Sequence, residues 1–244
     1  MAKCAVPLAA LALMLSLAQP AAADSHYIRL TTEEYPPFNF SESTTGKILG
    51  MSTDLVRAMM EKAAVGRYTI EMLPWQRAYD EALTNPNACV FSTTETEDRL
   101  PLFKWVGPLV SNDWVFLARP DSPIKIDSLE AARPYVIGGY RGDATANFLK
   151  KNGFTVLTAP EDRHNVKLLT AGRIDLWATG SLLGPWLARQ EGMTDLRVLH
   201  RFRTMVLSLA CNPAVADDTI DRLQEALDAL ERDGTAAAIR GRYN

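Results

Sequence analysis

Short β-rich runs alternate with segments of helical period along almost the whole chain. No other feature of the sequence restricts its folding so strongly. Chains with this alternation bury their strands in a largely parallel sheet covered by helices. Strands are expected at residues 27–31, 68–72, 88–92 and 114–118. A second series begins after Pro120 and Pro123, with strands at 135–138, 154–157, 174–178, 196–199 and 206–211. Helices are expected between them. Ser52-Thr53-Asp54 offers N-cap chemistry ahead of Leu55, Met59, Met60 and Ala63, which recur at helical spacing. Others are predicted through Trp75, Ala78, Tyr79 and Leu83, then over 144–151, 165–171, 182–190 and 217–233. The last carries Ile220, Leu223, Leu227 and Leu230 on one face and stops at Gly234.

Composition narrows the function. With 47% apolar residues, 23% charged residues and a net charge of −3 over 244 residues, the chain is globular rather than disordered. It has no excess of Lys and Arg for nucleic-acid phosphates, so no nucleic-acid partner is expected. Its His26, His164 and His200 show no zinc-site spacing, and GxSxG, GxxxxGK[ST] and GxGxxG patterns are missing, so neither a metal nor a cofactor is expected.

The N-terminus reads as a secretory signal peptide spanning residues 1–23. Lys3 supplies the positive start, residues 5–18 are apolar but shorter than the roughly 20 a membrane span requires, and Ala21-Ala22-Ala23 is a cleavage signal. Cleavage after Ala23 places the mature chain in the periplasm. Its new start, Asp24-Ser25-His26, has amine and imidazole nitrogens suited to Cu(II), or is simply a solvated tail. Two cysteines remain, Cys89 and Cys211, either bridged or separately buried as small apolar side chains.

Several segments together resemble the family 3 extracellular solute-binding proteins, the amino-acid receptors of ABC importers. They are Glu34-Tyr35-Pro36-Pro37-Phe38, Gly50 to Leu55, Pro74-Trp75-Gln76-Arg77-Ala78, Phe91 to Arg99, Gly138 to Asp143, Gly172 to Trp177 and Asp233-Gly234-Thr235. The resemblance implies a two-lobed α/β fold of the type II periplasmic binding protein kind, with two crossover strands at the hinge. Residues 24–117 plus 204–244 would form the first lobe and 118–203 the second, closing on a ligand between them.

The resemblance also nominates a site. Arg99 resembles the family's carboxylate-gripping arginine, because a guanidinium matches a carboxylate with paired donors. Ser92, Thr93 and Thr94 would add hydroxyl and backbone donors, and Tyr35 would cover the ligand's body. Trp75 either lines the cleft or belongs to the core. Arg141 and Asp143 flank a helix N-terminus, where backbone N–H groups favour anions and where Asp143 also suits an N-cap. In two respects the sequence departs from the family: the usual ammonium-binding Asp is replaced by Gly180, and the helix-start hydroxyls after Gly142 are replaced by Asp143 and Ala144. Either Asp143 or Glu34 supplies a carboxylate from elsewhere, or the ligand has no ammonium. The expected function is a monomeric receptor for a small polar carboxylate-bearing solute, working with an ABC permease. The alternatives are a receptor coupled to a membrane sensor, and a dehydratase using Asp143, Glu95 or Glu34 as its acid.

Overall fold

The computed structural model describes Met1 and residues 27–243. The expected signal peptide, its cleavage site and Asp24-Ser25-His26 lie outside the described residues. The first half of the chain contributes β1 (Tyr27–Thr32), β2 (Phe40–Ser41), β3 (Ile48–Leu49), α1 (Met51–Lys62), β4 (Arg67–Met72), α2 (Trp75–Thr84), β5 (Ala88–Thr94) and β6 (Lys104–Ala118). Then come β7 (Ile137–Tyr140), α3 (Ala144–Lys151), β8 (Val156–Ala159), α4 (His164–Thr170), β9 (Leu176–Gly180) and α5 (Leu183–Gln190). The chain returns through β10 (Arg197–Cys211) and ends in α6 (Asp217–Arg232) and α7 (Thr235–Gly241).

The large sheet has the order β4-β1-β5-β10-β6-β9-β7-β8. Its outer strands pair in parallel, β1 with β4 and β5, and β7 with β8 and β9. The two central strands, β6 and β10, run antiparallel to each other and join the two parallel sets. Both are 15 residues long. The lobe boundaries expected after residues 117 and 203 fall inside them.

Each half has its own apolar interior. In the first, Leu30, Phe38, Leu55, Met59, Phe91, Leu109, Leu223 and Leu227 pack β1, β5 and β6 against α1 and α6. In the second, the sheet is covered on both faces. Val115, Leu117, Leu169 and Trp177 pack on one side, and Phe116, Ile137, Leu149 and Leu176 on the other. This explains why β9 is buried along its full length and carries no alternating pattern.

Two local expectations are corrected. The strands predicted at 196–199 and 206–211 are one strand, β10, whose middle, with Arg201, Arg203 and Thr204 exposed, crosses from one half to the other. Its polar residues read as a break in the sequence, although Leu199 and Phe202, set among them, pack on the second interior. Likewise the strand predicted at 114–118 is the end of β6, which tolerates Gly107-Pro108 because a register shift between Leu207 and Leu209 opposes it and the Gln224 side chain bonds Gly107 N and O, at 3.0 and 3.1 Å. The second correction is at α1, where Ser52-Thr53-Asp54 is not the cap. The helix begins at Met51, after Gly50 at φ 126°, and the Pro37 and Phe38 carbonyls accept from Met51 and Ser52 N–H. Gly50 has no alternative, since a Cβ there would sit 2.4 Å from the Phe38 carbonyl oxygen.

Candidate functional site

At the C-terminal end of β1 the chain leaves the sheet through Glu33, Glu34 and Tyr35. Tyr35 is fixed by a tight turn: its N–H donates to Asn39 O (2.7 Å), and its ring stacks on Phe38 with centroids 5.2 Å apart. Its hydroxyl accepts from Asn112 Nδ2 on β6 at 2.9 Å. β5 delivers Ser92, Thr93 and Thr94, all buried. Ser92 donates to Asn39 Oδ1 and Thr93 to Val90 O at 3.2 Å, so these two hydroxyls already have partners inside the fold.

Arg99 follows the turn after β5 and is only 7% exposed. Its guanidinium donates to Thr94 O in its own half and to Gly142 O in the other, each at 3.4 Å. It lies over Trp75 (5.1 Å) and Tyr79 (5.2 Å). Trp75, the first residue of α2, donates from Nε1 to the same Gly142 carbonyl at 3.2 Å. Gly142 is therefore, like the Phe40–Trp186 ring pair, one of the points where the halves touch. Its φ of 77° and a Gln76 Nε2 atom 2.1 Å from where a Cβ would stand make glycine the only residue that fits.

Asp143 caps α3, accepting from Thr145 N (2.8 Å) and Ala146 N (3.4 Å). Arg141 is exposed. Glu34 accepts from Ser41 N, and Glu95 accepts from Ser208 Oγ. Gly180 ends β9 facing the Asn112 and Tyr35 side chains. The structure thus brings Tyr35, Trp75, Arg99, Asp143 and Gly180 toward one junction, with Thr94 contributing its carbonyl, and leaves Arg141 outside it.

Beside this junction lies a cavity of about 360 Å³ whose walls come from both halves, including Glu33, Tyr35, Leu73, Tyr140, Asp162 and Leu183. Three of its carboxyls are shifted upward by burial, Glu34 among them. Burial pushes Glu33 well above the ordinary carboxylate range, with the charge of Asp143 adding to the effect. Burial likewise raises Asp162 to about 6, against the opposing pull of hydrogen bonds from Thr179 and Trp177. Tyr35 and Tyr140 are shifted upward mainly by burial. These groups therefore resist extra negative charge. Glu33, Asn112, Tyr140 and Asp162 are not apparent from sequence. Asp162 sits in a polar loop, and its partners Trp177 (2.9 Å), Thr179 (2.7 Å) and Asn165 (2.8 Å) come from β9 and α4. Only the β-rich run at 27–31, shortly ahead of Tyr35-Pro36, hinted at the place of Glu33.

The cysteine question is also resolved: Cys89 and Cys211 are disulfide-bonded.

A cleft between two α/β halves joined by paired crossover strands defines the two-lobed periplasmic binding protein fold. The profile of the bacterial extracellular solute-binding proteins, family 3, matches residues 28–244, and the chain belongs to that family. It is a solute-binding protein. Among solved structures it is similar to a histidine kinase sensor domain with similarity to periplasmic binding proteins (TM-score 0.81, 22% identity, 89% of this chain and 95% of that one). It is also similar to an ancestral arginine-binding protein bound to arginine (TM-score 0.77, 20% identity, 89% and 98%). A third is an arginine-, lysine-, histidine-binding protein of Geobacillus stearothermophilus (TM-score 0.77, 17% identity, 89% and 94%). A search of curated protein sequences finds no match.

Proposed function

We propose that this chain is a periplasmic receptor that encloses a small, polar, carboxylate-bearing solute between its lobes and hands it to an ABC permease in the inner membrane. The observation that carries this reading is the cavity of about 360 Å³ whose walls come from both halves; Arg99, which bridges the halves through Gly142 O, lines a second pocket of about 540 Å³ with Trp114 and Arg203. The first of these lies at the small end of the range for ligand sites. Arg99 is the carboxylate anchor, and Tyr35 and Trp75 cover the ligand's body. Micromolar binding needs about −8 kcal/mol, and one charge-assisted hydrogen bond nets only about 1.5–3. Ring contacts and lobe closure supply the rest. The names of the arginine-, lysine- and histidine-binding neighbours favour an amino acid or a near relative.

A second reading is a receptor that reports occupancy to a membrane sensor, favoured by the similarity to a histidine kinase sensor domain. Both readings use the same closing cleft. For a dehydratase there is less support, because Asp143, Glu95 and Glu34 each hold a structural hydrogen bond.

The test is a thermal-shift screen of the mature chain against amino acids, dicarboxylates and opines, followed by calorimetry on the hits. A bound member raises the melting temperature by mass action. Arg99→Ala weakens that hit by about 2–5 kcal/mol. Loss under about tenfold removes Arg99 as the anchor.

A further inference from the structure

Resting on that receptor reading, we propose that the β2–β3 hairpin is a clasp that holds the lobes closed through one ring pair, Phe40 on Trp186. β2 and β3 pair over two residues each and lie outside the large sheet. A ladder of that length has little stability of its own. Phe40 is only half-buried and belongs to none of the apolar interiors, so its ring contacts decide its role. They come from both lobes. Trp186 on α5 meets it with centroids 5.5 Å apart and planes at 41°, and Tyr243, beyond α7, meets it edge-on at 6.3 Å. Trp186 rests on an interior of the second lobe and Tyr243 on that of the first. The first-lobe side of the clasp is braced. The Tyr243 hydroxyl donates to Asp54 Oδ2 at 2.8 Å and accepts from Gly50 N–H at 3.2 Å, and Ser41 N–H, next to Phe40, donates to the Glu34 carboxylate at 3.1 Å.

The clasp is tied to two walls of the cavity of about 360 Å³. Glu34 lines it from the first lobe, and α5 contributes Leu183 and Leu187 from the second. A movement that parts these walls also separates the two rings. Phe40 and Trp186 themselves are not among the lining residues, so the pair acts on the lobes without touching a solute. Both are positioning residues. The contact at Gly142 O differs in kind: it is polar, with donors from Trp75 at 3.2 Å and Arg99 at 3.4 Å, and Arg99 is also the group assigned to the solute. The ring pair makes no such double use of its atoms. Tilted aromatic pairs at this spacing stabilise beyond the area they bury. A contact present only when the lobes are together multiplies the closed population by its own factor, and the apparent affinity for any enclosed solute rises with it.

The experiment is a pulsed electron-spin distance measurement on the mature chain, stripped in urea, refolded and kept free of added solute. Nitroxides are placed on exposed positions of the two lobes, at Glu61→Cys on α1 and Thr194→Cys beyond α5. Cys89 and Cys211, being bridged, take no label. A short-distance, closed population is expected in the chain with its clasp intact. Phe40→Ala and Trp186→Ala are each expected to lower the closed-to-open ratio by about threefold to tenfold, and the double substitution to lower it no further than either alone. Trp186→Phe keeps a ring and is expected to restore most of the ratio. Phe40→Ala carries the test if Trp186→Ala does not fold. A ratio that Phe40→Ala leaves unchanged, or a chain with no closed population at all, would overturn the clasp while leaving the receptor reading intact. Should the thermal-shift screen find no solute, the receptor reading falls, and the ratio still reports on the clasp.

Discussion

Carboxyl groups that titrate far from their ordinary range mark this cleft at the residue scale. Asp162 is raised from 3.8 to about 6 by burial, while its unfolded form keeps the ordinary value. The folded state therefore binds a proton that the unfolded state has lost between those pH values. The resulting stability is fully present below about pH 4 and disappears as pH rises through about 6, a change of about 2–3 kcal/mol. Glu33, also raised, acts in the same direction. Urea unfolding at pH 5 and pH 7.5 is expected to show a smaller loss of stability in Asp162→Asn than in the unsubstituted chain. Equal losses would mean that Asp162 is not shielded as described. The place of Arg99, just after β5 and its hydroxyl-rich turn, was legible in the sequence. Asp162 was not, because its character comes from Trp177 and Thr179, which only the folded sheet brings to it.

At the scale of elements, the disulfide joins neighbouring strands. Cys89 on β5 faces Cys211 on β10 in register, closing a loop with a sequence separation of 122. In the chain-entropy account a loop of that length contributes about 5 kcal/mol. Thiol labelling of the unreduced, unfolded mature chain is expected to find no free cysteine, and reduction to lower the melting temperature by several degrees. Two labelled thiols would contradict the bridge. Elements with a clear apolar period, such as α6, and those with a sharp polar cap, such as α3 after Asp143, were readable directly. The long crossover strands were harder to read. β10 changes from exposed to buried halfway along, so its polar stretch resembled a loop, and β6 carries an internal Pro108. The start of α1 was misread for a related reason: its N–H groups are capped by carbonyls from the Pro37–Phe38 turn, and local spacing carries no trace of that.

Taken as a whole, the molecule is two interiors joined by two strands, with a cavity of about 360 Å³ between them. The alternation of strands and helices announced this class of fold. The cleft's acidic lining was hidden because its walls draw on both lobes, with Glu33 from the first and Asp162 from the second. Arg99 and Trp75 both reach across to Gly142 O, contacts that exist only while the lobes are together. Lobe closure on a solute is the central claim, and hinge motion of this kind changes overall dimensions. Small-angle scattering of the mature chain, alone and saturated with its tightest-binding solute from the screen, tests it most directly. The predicted result is a smaller radius of gyration with solute bound, and the same measurement on Arg99→Ala shows less contraction at equal concentration. A profile unchanged by a solute that calorimetry shows to be bound would contradict closure of the lobes around it.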